Sequence, residues 1–318
     1  MSKIFLGIDI SKSNFDAALL IPDDKVKTKK FSNNKSGFKL LMDWLKTCSV
    51  SIGNVHACME ATGIYGEELA DFLYSINCTV SIVNPAKIKG FGMSELSRTK
   101  TDRADSKLIA RFCKTMNPAA WQPIKPEYKE LQLLVRRLED LQNLLQLEAA
   151  RSNNVKKSIE FIIEPLSKQI KEINKLINDI INNDPELQKK QKLLETIPGV
   201  GKATVMQILS FINVENFSSV KQLDAFLGLN PKQRQSGTSV NKRCRISKIG
   251  NGNLRKTLYF PAIVATRYNP IIKAFYDRLK SNGKPAKVII CGAMRKLVHI
   301  IYGVLKTGKP FDASLAVI

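Results

Sequence analysis

Short apolar runs separated by polar turns fill the first third of the chain, a pattern typical of β-strands. The runs lie at residues 3–10, 14–20, 26–31, 55–59 and 79–83. The first three predict antiparallel strands, with a turn at Pro22 before the third. Apolar residues at helical spacing occupy residues 40–45, 65–74 and 104–116. A strand-rich start followed by βα units predicts a mixed α/β sheet with helices on its faces.

The apolar period in the middle of the chain is that of a coiled coil. The first repeat consists of Leu131, Leu134, Leu138, Leu141 and Leu145, and the second of Leu166, Ile170, Ile173, Ile177 and Ile180. Pro165 fits the first turn of the second helix, where its missing N–H does no harm. These repeats predict a helical hairpin that packs either on its own chain or against another subunit.

The last part of the chain is predicted to be mainly helical. Its apolar periods predict helices at residues 223–227, 254–266, 271–279 and 288–305, and a loop rich in Gly, Ser and Lys at 231–252. The sequence IPGVGKAT, which begins at Ile197, resembles a helix–hairpin–helix turn. Such a turn either lets backbone N–H groups contact a DNA phosphate or serves only as a tight connection between helices.

These changes of pattern predict three domains. An α/β domain occupies residues 1–125, a coiled-coil helical hairpin 126–185, and a basic, mainly α domain 186–318. A chain of 318 residues is long enough for two or three domains of ordinary size.

Charge gives the first indication of a partner. The formal net charge is +22, and residues 191–318 hold 21 basic and 5 acidic side chains, a net +16. Between Asp224 and Asp277 there are ten Lys or Arg residues and no acid. Because such an excess repels itself, it indicates a polyanionic partner, either a nucleic acid or an acidic membrane surface. The concentration of one sign in one segment favours nucleic acid over a merely solvated face.

Several other classes are excluded by the sequence. The apolar N-terminal run is interrupted at Asp9, which argues against a signal peptide, and residues 286–305 contain too many charges for a membrane span. Six cysteines without CxxC spacing and only two histidines, His56 and His299, argue against a zinc site. Free thiols in a chain without an export signal predict the reducing cytoplasm.

Four carboxylates lie at or near the ends of predicted elements in the first domain. Asp9 lies near the end of the first strand, Glu60 follows the fourth, and Asp102 and Asp105 flank the start of a helix. Carboxylates that meet from separate strand ends are the ligands that Mg²⁺ prefers, and paired Mg²⁺ ions promote phosphoryl transfer. Singly, each acid has a plainer explanation: Asp9 could simply end a strand, and Asp102 could cap a helix.

A serine in the acid-free segment is a candidate nucleophile. Ser236 precedes Gly237, which would allow a tight turn that exposes the hydroxyl, and Ser239 is an equally available candidate. No histidine lies nearby in sequence, which argues against a Ser-His-Asp hydrolase. A serine could still attack a phosphate if a metal and cationic side chains stabilised the developing charge. The plainer alternative is a loop serine that contacts a phosphate.

The chain resembles the DEDD-type insertion-sequence transposases, and among them the bridge-RNA-guided serine recombinases. The similarity covers nearly the whole chain in order. In the first domain it rests on GIDISK from Gly7, MEATGIYGEELADFLY from Met59, NPAKIKGF from Asn84 and KTDRADSKLIARF from Lys100. In the last domain it rests on IPGVGKATV from Ile197, FLGLNPKQRQSGTSV from Phe226, ISKIGNGNLRKTLY from Ile246 and MRKLVHIIYGVLKTGKPFD from Met294.

The resemblance implies a fold, a site and partners. The first domain would be RNase H-like (RuvC-like), with Asp9, Glu60, Asp102 and Asp105 as metal ligands that hold Mg²⁺. Ser236 would form a covalent phosphoserine link to DNA, in an active site composed from different protomers. A structured noncoding bridge RNA would pair with both the double-stranded donor and target DNA. The protein would act as a homotetramer of two homodimers in the prokaryotic cytoplasm, associated with the nucleoid and not with a membrane.

The residues leave two other functions open. A structure-specific endonuclease of the Holliday-junction type would need the four acids but not Ser236, because a metal-activated water would attack the DNA. A non-enzymatic nucleic-acid-binding protein would need only the positive charge, and its binding would depend steeply on salt. No GxxxxGK[ST] sequence is present, and rejoining through a covalent intermediate needs no ATP.

Overall fold

The computed structural model describes residues 4–21, 25–61, 63–96, 101–151, 156–236 and 240–315. The chain forms two compact units, residues 1–124 and residues 125–318. The first is a sheet with helices on both faces, and the second is mainly helical.

The first unit contains a five-stranded mixed sheet. Its strands are β1 (Ile4–Ile10), β2 (Asn14–Leu20), β3 (Val26–Ser32), β4 (Val55–Glu60) and β5 (Thr79–Val83), in the order β3-β2-β1-β4-β5. The strands β1, β2 and β3 are antiparallel neighbours, as predicted, whereas β4 runs parallel to β1 and β5 parallel to β4. The predicted mixed α/β sheet is therefore confirmed.

Four helices cover this sheet. They are α1 (Lys35–Thr47), α2 (Glu67–Ser75), α3 (Pro85–Ser94) and α4 (Asp102–Met116). Leu6 and Ile8 of β1 face a core built with α1 and α2, and the opposite face of the sheet packs on α4. The apolar pattern did not predict α3, because Gly90 and Gly92 interrupt it. Its start nevertheless has a clear signal, since Asn84 caps the helix just before Pro85.

The helix α4 lies unusually close to β1, and Gly7 makes this possible. A Cβ atom at Gly7 would lie 2.1 Å from the carbonyl oxygen of Ser106 and 2.2 Å from the backbone nitrogen of Ala110. Ala110 also packs with Leu20, the strand partner of Phe5. The helix therefore runs back along β1, and its first turn lies over the end of the strand that carries Asp9.

The second unit contains nine helices and one hairpin among the residues that the structure describes. The helices are α5 (Pro126–Ala149), α6 (Lys156–Asn183), α7 (Pro185–Glu195), α8 (Lys202–Phe211), α9 (Val220–Leu227), α10 (Gly252–Thr257), α11 (Tyr259–Tyr268), α12 (Pro270–Ser281) and α13 (Ala286–Thr307). The hairpin pairs β6 (Pro231–Ser236) with β7 (Val240–Ile246). The prediction of a loop over 231–252 is therefore wrong: β6 is polar after Pro231, and in β7 Lys242 interrupts the alternation of Val240, Cys244 and Ile246.

The predicted helical hairpin is present as α5 and α6, which pack against each other. Leu131, Val135 and Ile177 belong to the same apolar core as the helices that follow. The hairpin thus packs on its own chain, and neither coiled-coil pairing between subunits nor the three-domain division is tested by this packing. Pro165 lies inside α6 and not in its first turn, because the helix already begins at Lys156. Phe161, whose carbonyl loses its bond to residue 165, is exposed, so water can replace that bond.

The last helix corrects one exclusion. By length and composition alone α13 qualifies as a membrane span, so its charges do not exclude one. Its buried residues, which include Ile289, Leu297 and Ile301, pack in the core of the second unit. The helix is amphipathic: one face packs in the core, and the other carries polar side chains.

The turn between α7 and α8 has the predicted helix–hairpin–helix form. Gly199 adopts a φ of +99°, and a Cβ atom there would lie 2.8 Å from that of Ala265 on α11. Packing alone therefore explains this glycine. Gly201 has open space where a side chain would stand, and a phosphate contact at this turn stays a prediction.

We predict that Gly7→Ala destabilises the first unit by about 3 kcal/mol or more, because the added methyl group would overlap the backbone of α4. Urea unfolding monitored by circular dichroism measures this loss. Gly90→Ala in α3 is the matched control, since its Cβ would meet nothing within 4 Å; it should be neutral or stabilise by up to about 1 kcal/mol. Equal unfolding midpoints for the two variants would refute the close approach.

Candidate active site

Asp9 and Glu60 lie at the carboxyl ends of two adjacent parallel strands. The register pairs Gly7 with Cys58 and Ile8 with Met59, so its continuation places Asp9 beside Glu60. Side chains alternate between the two faces of a strand. Asp9 and Glu60 therefore emerge on the same face as Gly7, the face against which α4 packs.

The first turn of α4 brings two more carboxylates to this edge. Thr101 caps the helix, with its Oγ1 accepting a hydrogen bond from the N–H of Ala104 at 3.2 Å. Asp102 and Asp105 follow within the first turn, where an acidic side chain is favoured by the helix dipole. Arg103 donates to Oγ1 of Thr28 at 2.6 Å and thereby ties this turn to β3. All four predicted acids belong to the described first unit and converge on one edge of its sheet.

The pKa of Asp9 reflects the nearby acids. Burial, followed by the negative charges of Asp105, Asp102, Glu60 and Asp16, raises the pKa of Asp9 to about 6. A carboxyl group held among like charges favours its protonated form or a nearby cation. The edge is therefore a place where positive charge is stabilised.

Two residues of this edge were missed by the sequence analysis. Asp16 lies opposite Asp9 on β2, and Lys30 lies opposite Asp16 on β3. The ammonium group of Lys30 is 3.7 Å from Oδ2 of Asp16 and 4.0 Å from Oδ2 of Asp102. Lys30 thus neutralises part of the negative charge. The short turn between β1 and β2 fixes this row, so register counting could have found it.

The donor set fits a hard divalent cation in its chemistry. The four predicted ligands are carboxylates, and the charges of the other three contribute, after burial, to the raised pKa of Asp9. Their side chains do not form a compact ligand set: in the described part of the chain, no group of three or more His, Cys, Asp or Glu residues is arranged to hold a metal ion. The assignment of the four acids as metal ligands therefore stays a prediction.

Ser236 belongs to the second unit, as the last residue of β6. Its backbone pairs with Val240 of β7. Ser239, the other candidate, lies outside the described residues. The base of this hairpin is tightly closed: Arg255 donates from Nη1 to the carbonyl of Leu227 at 2.9 Å, and a Cβ atom at Gly250 would lie 2.4 Å from the carbonyl oxygen of Phe226. The structure therefore places the serine on a ribbon with a fixed base.

The fold and the four carboxylates at the edge of the sheet together define a class of protein. A mixed sheet with carboxylates at the ends of adjacent parallel strands and in the first turn of the covering helix is the RNase H-like arrangement of DEDD transposase domains. Residues 6–158 match a family profile for the DEDD transposase of IS110 elements, described as a transposase. Residues 191–277 match a second profile, described as transposase IS116/IS110/IS902 family.

Known relatives extend this match over the whole chain. A pilin gene-inverting protein of Moraxella bovis and one of Moraxella lacunata are each 37% identical over 322 residues, which cover 99% of both chains in either comparison. An IS900 uncharacterized 42 kDa protein of Mycobacterium paratuberculosis is 21% identical over 150 residues, 46% of this chain and 37% of that one. The chain belongs to the IS110/IS116/IS902 family of DEDD transposases, proteins that act on DNA.

We predict that Asp9→Asn raises the melting temperature by about 2 °C at pH 8 in EDTA. The carboxyl group of an aspartate ordinarily has a pKa near 3.8, whereas the pKa of Asp9 is about 6. The destabilisation, which comes first from burial of the carboxylate and then from the neighbouring negative charges, is therefore absent below about pH 3.8, grows as the pH rises to 6 and is complete above it. After a discount for solvent screening it costs about 1 kcal/mol.

Thermal unfolding followed from pH 8 to pH 4 tests this. The gap between Asp9→Asn and the parent should shrink as the pH falls through 6. Asp43→Asn, which removes an exposed carboxylate of the same charge from α1, is the control and should leave the melting temperature nearly unchanged. An Asp9→Asn variant no more stable than the parent at pH 8 would contradict the repulsive edge.

Proposed function

We propose that this transposase is an RNA-guided DNA recombinase that cuts and rejoins donor and target DNA through a covalent phosphoserine intermediate. The observation that carries the proposal is the convergence of Asp9, Glu60, Asp102 and Asp105 on one edge of the sheet, recorded in the raised pKa of Asp9. The catalytic role of these acids and of Ser236 is part of the proposal.

The four acids would hold Mg²⁺ at the edge of the sheet. Bound there, the metal would supply positive charge for the attacking and leaving oxygens of a phosphoryl transfer. Asp9 is ionised at pH 8, above its pKa of about 6, and so would be ready to serve as a ligand. Lys30, near Asp16 and Asp102, would hold the edge together and limit repulsion against DNA.

Ser236 would supply the nucleophile. Its hydroxyl oxygen forms a bond to the phosphorus of the scissile phosphodiester, and the bond from phosphorus to one deoxyribose oxygen breaks. The serine's proton is given up as the leaving deoxyribose hydroxyl gains one, so the step is balanced without a further reactant. Because the phosphoserine retains the energy of the phosphodiester, the reverse attack by a different DNA hydroxyl rejoins the strands without ATP.

The division of the chain into two units supports an active site shared between protomers. All four acids lie within residues 1–124, whereas Ser236 lies within residues 125–318. We propose that the acids of one protomer meet the serine of another in a homotetramer built from two homodimers. A site that is complete only in the assembled form would prevent cutting before both DNA partners are bound.

The helical hairpin supplies a candidate subunit contact of the coiled-coil type. Near its tip, the apolar side chains of Leu144, Leu147 and Phe161 are 44%, 64% and 83% exposed. A second copy of the chain would cover them. Leu147→Glu together with Phe161→Glu should halve the mass measured by sedimentation, because a buried unpaired charge opposes association. Lys168→Glu, an exposed change of charge on α6, is the control; an unchanged mass for the double variant removes this contact.

The charge of the second unit supports nucleic-acid partners. The net +16 of residues 191–318 suits the backbones of two duplexes and a structured RNA. If base pairing with a bridge RNA reads the donor and target sequences, the protein needs no base-reading motif of its own. The protein would then act at the nucleoid in the prokaryotic cytoplasm.

Two alternatives remain distinct in their requirements. A Holliday-junction-type endonuclease would use the same acids and a metal-activated water, and membership in a DEDD family agrees with such chemistry. The names of the two Moraxella relatives describe inversion of a gene. Inversion requires rejoining of every cut strand, which favours recombination for this chain. A non-enzymatic binding protein would need none of the five residues.

The deciding experiment follows a labelled DNA that carries the end of the element, together with RNA transcribed from the adjoining noncoding segment. On denaturing gels, the parent should give a protein–DNA adduct that resists detergent, and Ser236→Ala should give none. A surviving adduct rules out Ser236, and cutting without any adduct in the parent favours the endonuclease. Omission of the RNA should abolish the adduct; if it does not, guidance by RNA is wrong.

The variant Asp105→Asn tests the role of the acids in the same assay, with Ser236 left intact. We predict a loss of both cutting and adduct of at least about a hundredfold, with or without added Mg²⁺, because one ligand of the proposed set is removed. Asp71→Asn on α2, elsewhere in the same unit, is the matched control and should retain activity. Full activity of Asp105→Asn excludes this residue from the metal site.

A further inference from the structure

A carboxylate is buried in the second unit, away from the acids of the candidate active site. Asp224 on α9 is 0% exposed. Its Oδ2 accepts a hydrogen bond from Nε of Arg295 at 2.7 Å and is 2.9 Å from Nε2 of His299. Its Oδ1 has no partner among the residues that the structure describes. One fully buried acid therefore holds two side chains from adjacent turns of α13.

Attachment of α9 to α13 does not by itself require this group. Leu223 and Leu227 of α9 and Leu297 and Ile301 of α13 are buried in one apolar core. An apolar residue at position 224 could extend that packing, and a buried ion pair is commonly no more stabilising than such a replacement. What the carboxylate adds is the fixed orientation of two polar head groups.

Those head groups reach the surface. The side chains of Arg295 and His299 are 34% and 40% exposed, although their shared partner is fully buried. Arg295 uses Nε for Asp224, which leaves its two Nη groups without a partner in the described ranges. The guanidinium fork is preorganised for two oxygens of one anion, and a fork fixed by a carboxylate loses less entropy when it binds.

The surroundings favour an anion of a particular kind. The chain has no acid from residue 225 to residue 276, the segment that leads from α9 through the hairpin and into α12. The nearest acid on the other side of Asp224 in sequence, Glu215, is paired with Lys306 at 2.7 Å. The segment that follows Asp224 therefore contributes only positive charge until Asp277. A phosphodiester offers two unesterified oxygens and a single negative charge, which suit this fork.

We propose that Arg295 and His299, oriented by Asp224, form a binding site for a backbone phosphate of a nucleic acid. The site rests on the proposed function only in that its ligand is a nucleic acid. It would fix the position of a DNA or RNA strand on the second unit and take no part in the chemistry. DNA and RNA share this phosphate chemistry, and binding measurements with each distinguish them.

The test measures binding of the full-length protein by fluorescence anisotropy in EDTA, so that no strand is cut. The probes are a duplex DNA of three helical turns and a structured RNA from the noncoding segment, each between about 50 and 200 mM NaCl. Arg295→Gln should weaken binding of at least one probe about fivefold or more and reduce the salt slope by about one. Loss with only one probe identifies which nucleic acid occupies the site.

The matched control is Lys287→Gln, which removes one exposed positive charge from an earlier turn of the same helix and should change affinity less than about twofold. Arg295→Lys keeps the charge and should restore the salt slope but not the full affinity, since the fork is lost. His299→Gln covers the case in which Arg295→Gln fails to fold, as judged by circular dichroism, and should also weaken binding. If the folded variants bind both probes as Lys287→Gln does, the site is wrong. If the parent binds neither probe, the proposed function itself fails.

Discussion

The close approach of α4 to β1 is the contact on which the candidate active site depends. Gly7 lacks the atom that would keep the helix away, and Ser106 and Ala110 occupy that space. Because α4 runs back along the strand, its capped first turn lies over the end that carries Asp9. A residue with no functional group thus determines where Asp102 and Asp105 lie. Backbone packing therefore determines where the four carboxylates lie, and their mutual charge follows from that position.

Positive charge is distributed unevenly between the two units of the chain. The first unit accumulates like charges at one edge and stabilises them only in part, through Lys30. The second carries most of the positive excess and places Ser236 on a ribbon within the acid-free segment. Under the proposed function, neither unit alone would hold all of the groups for strand cutting and rejoining. This separation explains why the net charge of the whole chain says little about mechanism.

The sequence predicted those parts whose signal is local. The bounds of β2 and β5 were confirmed because their apolar runs end at polar turns. The helix α3 was missed because its glycines weaken the pattern, and the hairpin β6–β7 because β6 is almost wholly polar and Lys242 interrupts the apolar alternation of β7. Asp16 and Lys30 were within reach of register counting. The contacts of Asp224 were not, because its partners lie 71 and 75 residues away and meet it only through packing of α9 on α13.

The closed base of the β6–β7 hairpin has a mechanical consequence. Arg255 and the tight fit at Gly250 fasten both ends of the ribbon to α9 and α10 at a single point. If Ser236 carries a DNA end, as proposed, that end is joined through β6 to the helices of the second unit. Exchange of strands between two duplexes would then require whole protein units to move together with the DNA ends attached to them.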